Sequence, residues 1–92
     1  MSDLFVELQK WYASQCDGVW EHSYGIEIVN IDNPGWRITI TGASERDVVE
    51  EKIDRSDDNW VRINAESTKF IGYGGPENLE ELIRRAANWL RK

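Results

Sequence analysis

The chain has 92 residues and a mass of 10.7 kDa, the size of one small domain with one modest hydrophobic core. Hydrophobic residues make up 40% and charged residues 30% of it, the balance of a soluble folded protein, and no apolar run reaches the roughly 20 residues of a membrane span. Eleven basic and seventeen acidic residues give a net charge of −6. This charge argues against nucleic acid as a partner, because phosphate binding relies on Lys and Arg. We therefore expect a single acidic domain spanning residues 1–92.

The N-terminal segment predicts a helix over residues 3–16. Ser2 or Asp3 can cap its first turn, and Asp17-Gly18 supplies a stop. Apolar side chains recur there at helical spacing, at Leu4, Phe5, Leu8, Trp11, Tyr12 and Cys16. This stripe is expected to face the core, with Cys16 buried in it.

Between residues 24 and 73 the apolar period changes to two, which is typical of β-strands. The runs fall at residues 24–31, 36–41, 49–55, 60–64 and 69–73. Short connections favour antiparallel neighbours that follow each other along the chain. The sequence therefore predicts a four- to five-stranded antiparallel meander.

A second helix is predicted at the C-terminus, after Pro76. Its glutamates lie early and its basic residues late, which suits the helix dipole. Its apolar face consists of Leu79, Leu82, Ile83, Ala86, Trp89 and Leu90. The predicted fold is α+β, with both terminal helices packed on one face of the meander.

This topology orders the loops in space. Residues 17–22 should lie at one end of the sheet. The turns at 32–35 and 56–59 and the segment 74–77 should meet at the other end. That second end would carry an acidic rim formed by Asp32, Asp57, Asp58 and Glu77.

The sequence offers little support for catalysis. Cys16 and His22 are the only cysteine and histidine, and the cysteine lies on an apolar helix stripe where an inert thiol is expected. Asp17, Glu21, His22 and Asp32 are possible metal ligands, but they do not follow the spacing of a calcium or zinc site. We therefore predict no catalytic residue, metal or cofactor, although a small Cys/His- or metal-dependent hydrolase is an open alternative.

Five tryptophans in a chain of this size are unusual. Trp11, Trp36 and Trp89 lie on predicted core faces. Trp20 falls in a loop, and Trp60 alternates against apolar neighbours that point inward. Exposed aromatic residues beside carboxylates are typical of protein interfaces, so Trp20 and Trp60 are candidate contact residues.

Four segments resemble motifs of the immunity protein 53 family. The sequence QCDGVWEHSYGI at residues 15–26 is similar to the family's signature segment, and DNPGW at 32–36 is similar to its second motif. The segments RSDDNW at 55–60 and YGGPENLEE at 73–81 match in residue type and order. The likeness covers nearly the whole chain.

The resemblance implies a small cytoplasmic protein of bacterial polymorphic-toxin systems that protects the producing cell by binding a toxin domain. A lone cysteine and the absence of a signal peptide at Met1-Ser2-Asp3 agree with the cytoplasm. The expected partner is a cognate, basic toxin domain such as a nuclease, with no role for nucleic acid or membrane binding and with the chain a monomer or weak homodimer. The candidate toxin-binding residues are Asp17, Trp20, Glu21, His22, Asp32, Asn33, Asp57, Asp58, Trp60 and Glu77. A housekeeping module that dimerises through the open sheet face or an edge strand is a further alternative.

Overall fold

The computed structural model describes residues 2–91 as two helices flanking five strands. The elements are α1 (Ser2–Gln15), a 3₁₀ turn (Trp20–His22), β1 (Ile26–Ile31), β2 (Gly35–Thr41), β3 (Val49–Ser56), β4 (Asn59–Ala65), β5 (Lys69–Gly74) and α2 (Leu79–Leu90). The α+β class, the five strands and the terminal helices are confirmed. Neither helix of residues 2–91 combines the length and the apolar character that crossing a bilayer requires.

The strands form one antiparallel sheet in the order β1-β2-β5-β4-β3. This differs from the consecutive order of the predicted meander, because β5 lies between the two hairpins β1–β2 and β3–β4. The composition of β3 gives the reason. Five of its eight residues are charged, which suits a strand at the edge of a sheet rather than at its centre. Glu51 even lies on the helix side of the sheet, where it pairs with Arg85 of α2.

The central strand β5 runs directly beneath α2. Phe70 of β5 is buried, and Gly72 and Gly74 leave room for the helix. A Cβ at Gly72 or at Gly74 would lie 3.1 Å from the Leu82 side chain. The core lies between this sheet face and the helices and includes Leu8, Ile38, Ile40, Val61, Ile63, Phe70, Leu82, Ile83, Ala86 and Trp89.

The apolar stripe of α1 is only partly buried. Leu8 is buried and Leu4 and Trp11 are half-buried, whereas Phe5 is 51% and Tyr12 38% exposed. The reason is that α1 packs mainly against α2, beside the edge strand β1, so that one side of its stripe reaches the core. The rest of the stripe faces solvent.

No helix of residues 2–91 covers the other face of the sheet, which we call the open face. Register pairing aligns one residue from each strand in a row across it, namely Val29, Arg37, Tyr73, Arg62 and Lys52. Trp60 shares this face, because Val61, the next residue of β4, is buried in the core. The prediction that the helices pack on one face of the sheet is confirmed, since the core lies between that face and the helices.

Candidate protein-binding surface

The antiparallel strands bring the sequence-predicted binding residues, apart from Trp60, to the two ends of the sheet. Turn residues 32–34 and 57–58 and the link 75–78 meet at one end, which we call the hairpin end. Residues 16–25 lie at the opposite end, which we call the loop end. The ends are about 20 Å apart, since β2 has seven residues that rise about 3.3 Å each. The predicted grouping holds despite the changed strand order, because strand directions alternate in both arrangements.

Close backbone approaches fasten the hairpin end. A Cβ at Gly35 would collide with the carbonyl oxygen of Gly74, and one at Gly75 with the carbonyl oxygen of Asp58. The Gly75 N–H donates to the Trp60 carbonyl at 3.1 Å. Glycine is required at positions 35 and 75 for this proximity, so both hairpin turns are held against the start of α2.

A polar network centred on Asn78 joins the β3–β4 hairpin to α2. Asn78 is 6% exposed, and its Nδ2 donates to Asn59 Oδ1 at 3.0 Å and to Glu81 Oε1 at 3.1 Å. Its Oδ1 accepts the Trp60 backbone N–H at 3.3 Å. Arg55 donates to both carboxylate oxygens of Glu81, at 3.0 and 2.9 Å. The hydrogen bonds from Arg55, with a smaller one from Asn78, hold the pKa of Glu81 below its usual value.

The acidic residues predicted for the rim lie outside this network. Asp32, Asp57, Asp58 and Glu77 are all exposed. Within residues 2–91, none of these side chains takes part in a hydrogen bond or ion pair. Asn33 is exposed in the same β1–β2 turn. These four exposed carboxylates are therefore distinct from that of Glu81, which stabilises the fold.

Trp60 lies on the open face next to the hairpin end and is half-buried. The guanidinium of Arg62 lies 5.3 Å from the centroid of its ring, within the range of a cation–π contact. Tyr73 of β5 pairs in register with Arg62 on one side and Arg37 on the other and is 37% exposed. Tryptophan, tyrosine and arginine thus adjoin each other beside the unpaired carboxylates.

Sequence reasoning did not include Arg62 and Tyr73 among the candidates. The period-two pattern could have placed Arg62 on the face of Trp60, since the two are separated by one residue in β4. The predicted consecutive order also pairs β5 with β4 and could have placed Tyr73 beside Arg62, but nothing in the sequence indicated that β5 pairs with β2, which places Tyr73 beside Arg37.

At the loop end, the two candidate carboxylates hold their own segment together. Asp17 Oδ1 accepts the backbone N–H groups of Val19 and Trp20, both at 2.9 Å. Glu21 Oε1 in turn accepts the Asp17 N–H at 3.0 Å. The two backbone hydrogen bonds keep the pKa of Asp17 below its ordinary value. This reciprocal arrangement fixes the 3₁₀ turn.

Trp20 fastens the same segment to the sheet and to α1. Its ring makes an edge contact with Trp11 at a centroid distance of 5.5 Å and lies 5.7 Å from Tyr12 and 6.0 Å from Tyr24. Its Nε1 donates to the Gly42 carbonyl at 3.0 Å. Trp20 is half-buried and closes the end of the sheet, whereas Trp60 lies on an uncovered face.

The predicted burial of Cys16 is wrong, since its thiol is exposed. Helix α1 ends at Gln15, so Cys16 is already past the part of the stripe that reaches the core. Its Sγ donates to the Tyr12 carbonyl at 3.3 Å, and His22 is exposed in the following loop. Among residues 2–91, no group of three or more His, Cys, Asp or Glu is arranged to hold a metal ion.

Comparison with known proteins identifies one family, and the match includes both ends of the sheet. Searches of curated proteins and of solved structures gave no match. The sequence profile described as Immunity protein 53 matches residues 5–91, which span every strand, all of α2 and most of α1. The chain therefore belongs to the immunity protein 53 family.

Proposed function

We propose that this chain neutralises a cognate toxin domain of a bacterial polymorphic-toxin system by binding it through the hairpin end and the adjoining part of the open face. In this proposal the chain catalyses no reaction itself. The observation that carries the proposal is a set of exposed carboxylates at the hairpin end that form no hydrogen bond or ion pair within residues 2–91, namely Asp32, Asp57, Asp58 and Glu77.

The hairpin end is favoured over the loop end because its side chains are free to bind another protein. Within residues 2–91, the carboxylates of Asp57 and Asp58 form no hydrogen bond or ion pair that a partner would have to break. The carboxylates of Asp17 and Glu21 already accept backbone hydrogen bonds at 2.9–3.0 Å. A toxin that bound these carboxylates would break those bonds and destabilise the loop. A surface that needs no rearrangement binds with a smaller loss of conformational entropy.

The charge of the hairpin end suits a basic toxin domain. Opposite charges steer two proteins together and raise the association rate, especially at low salt. A nuclease toxin would present a basic surface for its phosphate substrate, and an acidic protein can cover that surface. The net charge of −6 adds to the same attraction at long range.

Carboxylates at the rim do not by themselves give tight binding. Exposed ion pairs contribute about 0–1 kcal/mol each, whereas protection from a toxin calls for roughly nanomolar affinity, or about −12 kcal/mol. Most of that energy has to come from a desolvated centre. Trp60, Arg62 and Tyr73 supply the residue types that dominate interface hot spots, and they lie together beside the carboxylates.

Co-expression tests this function. The chain is expected to restore growth of cells that produce the toxin domain encoded beside its gene, and to purify with that toxin as a complex. Failure of both rescue and complex formation would refute the proposal. A Cys16→Ala/His22→Ala variant separates binding from catalysis, because it is expected to protect like the wild type. Loss of protection with an intact complex would instead indicate an enzyme.

A further inference from the structure

The two edge strands of the sheet differ in charge. β3 carries five charged residues, the usual protection of a sheet edge against pairing with another chain. β1, with the sequence IEIVNI, carries only Glu27, and this residue forms an ion pair with Arg37 at 3.2 Å. The β1 edge therefore lacks the charge that normally prevents another strand from adding to a sheet.

The β1 edge also offers backbone groups in the arrangement that strand addition needs. The Thr41 N–H donates to the Gly25 carbonyl at 3.0 Å, and in an antiparallel pair every second residue continues such a series. Residues 27, 29 and 31 thus bond toward β2. Ile26, Ile28 and Asn30 direct their N–H and C=O groups outward, where no backbone group of the described chain 2–91 forms a hydrogen bond with them.

An apolar surface continues from this edge onto α1. Phe5 is 51%, Tyr12 38%, Tyr24 49% and Ile28 38% exposed. These residues line an open groove of about 410 Å³ between α1 and β1. A contiguous apolar patch of this kind beside an uncovered edge strand is typical of an interface rather than of a solvated surface.

We propose that two copies of this chain associate through the β1 edge, with their β1 strands antiparallel about a two-fold axis at Ile28. In this register Ile28 lies opposite its own counterpart and Ile26 lies opposite Asn30. Each side chain then meets one from the same sheet face, and the outward backbone groups form about six hydrogen bonds between the copies. The grooves beside α1 adjoin across the axis to form one apolar surface.

The charge distribution indicates a second copy rather than the toxin at this edge. A basic toxin would find no unpaired carboxylate on β1, since Glu27 already pairs with Arg37. Two copies that each carry a net charge of −6 would meet here at a strand whose single charged residue is already paired. In the proposed register Glu27 faces Val29 and not another Glu27. The two-fold axis also points the hairpin ends in opposite directions, so both are free to bind toxin.

Sedimentation of the whole chain over a range of about 1 µM to about 1 mM tests this association. The average mass is expected to rise from monomer toward dimer. Ile28→Lys, which places two ammonium groups together at the axis, is expected to raise the dimer dissociation constant at least about tenfold. The matched control is Val48→Lys, at a side chain that is 78% exposed away from the edge, and it should leave that constant unchanged. If Ile28→Lys does not fold, Phe5→Glu in the exposed groove replaces it.

Amide hydrogen exchange gives an independent result from the same samples. Exchange at Ile26, Ile28 and Asn30 is expected to slow as the protein concentration rises, with no toxin present. A mass that is monomeric at every concentration, or exchange at these amides that is independent of concentration, would overturn the proposal. Protection that appears only when toxin is added would assign the edge to the toxin instead. Toxin neutralisation could hold in either case.

Discussion

The variant Asp57→Lys/Asp58→Lys is expected to bind the cognate toxin about 100-fold more weakly than the wild type, a loss of about 2.7 kcal/mol. Both side chains are exposed in the β3–β4 turn and have no partner within residues 2–91. Reversing them replaces two attractive charges by two repulsive ones at the edge of the interface. Because neither carboxylate supports the fold, the unfolding midpoint should not change.

A matched control separates this local effect from net charge. Glu45→Lys/Glu66→Lys reverses two carboxylates that are exposed near the loop end. Each double variant changes the net charge of −6 by +4, to −2. Isothermal titration at two salt concentrations should give a large affinity loss for the first variant and a small one, removed by salt, for the control. Equal losses would indicate long-range attraction only, and an unchanged affinity for Asp57→Lys/Asp58→Lys would exclude the hairpin end.

Asn78→Ala is expected to lower the free energy of unfolding by about 2–3 kcal/mol. The substitution removes a buried side chain that donates to Asn59 and Glu81 and accepts from the Trp60 backbone. The Trp60 N–H then loses this acceptor between β4 and α2, and Arg55 is left as the donor to Asn59 Oδ1 and Glu81 Oε1. For a small domain, whose total stability is about 5–10 kcal/mol, this is a large fraction.

Urea denaturation measures this loss, and Asn64→Ala is its control. Asn64 is an exposed asparagine on the open face whose side chain makes no hydrogen bond within residues 2–91. It should cost less than about 0.5 kcal/mol. If Asn78→Ala were no more destabilising than Asn64→Ala, the network would not hold the hairpin to the helix.

Together these variants test whether segments 55–60 and 73–81, which resemble family motifs, contain two kinds of residue, one for stability and one for toxin binding. Asn78 and Arg55 are expected to affect stability, and toxin affinity only to the extent that the folded fraction falls. Asp57, Asp58 and Glu77 are expected to affect affinity alone. The hydrogen bonds of Arg55 and Asn78 hold the two segments together. They thereby position the exposed carboxylates of the same segments.

The sequence predicted the elements of the fold better than their order. Alternating apolar residues such as Ile38 and Ile40 determine a strand locally, because every second side chain meets the core. Strand order depends on which strands can pair with a neighbour along both edges. That depends on contacts between elements far apart in the sequence. The glycines of β5, Gly72 and Gly74, make room for Leu82 of α2, a contact that neither segment indicates alone.

Within the candidate site, positions set by strand direction could be predicted from the sequence, whereas burial and loop packing could not. Exposed turn acids such as Asp57 were placed correctly, because strand direction alternates whatever the strand order is. The exposure of Cys16 was predicted wrongly, because helical spacing indicates a face but not how far the core extends along it. The packing of Trp20 against Trp11 and Tyr24 depends on how a loop folds back over the sheet, which its own residues do not indicate.

Hydrogen exchange of the toxin complex is the most direct test of the central claim, that the hairpin end is the surface which meets the toxin. Turn amides at Asp32, Asn33, Asp57 and Asp58 should exchange more slowly when toxin is bound, while those of residues 19–23 at the loop end should be unchanged. Slowing confined to residues 19–23, with the turns unaffected, would contradict the account.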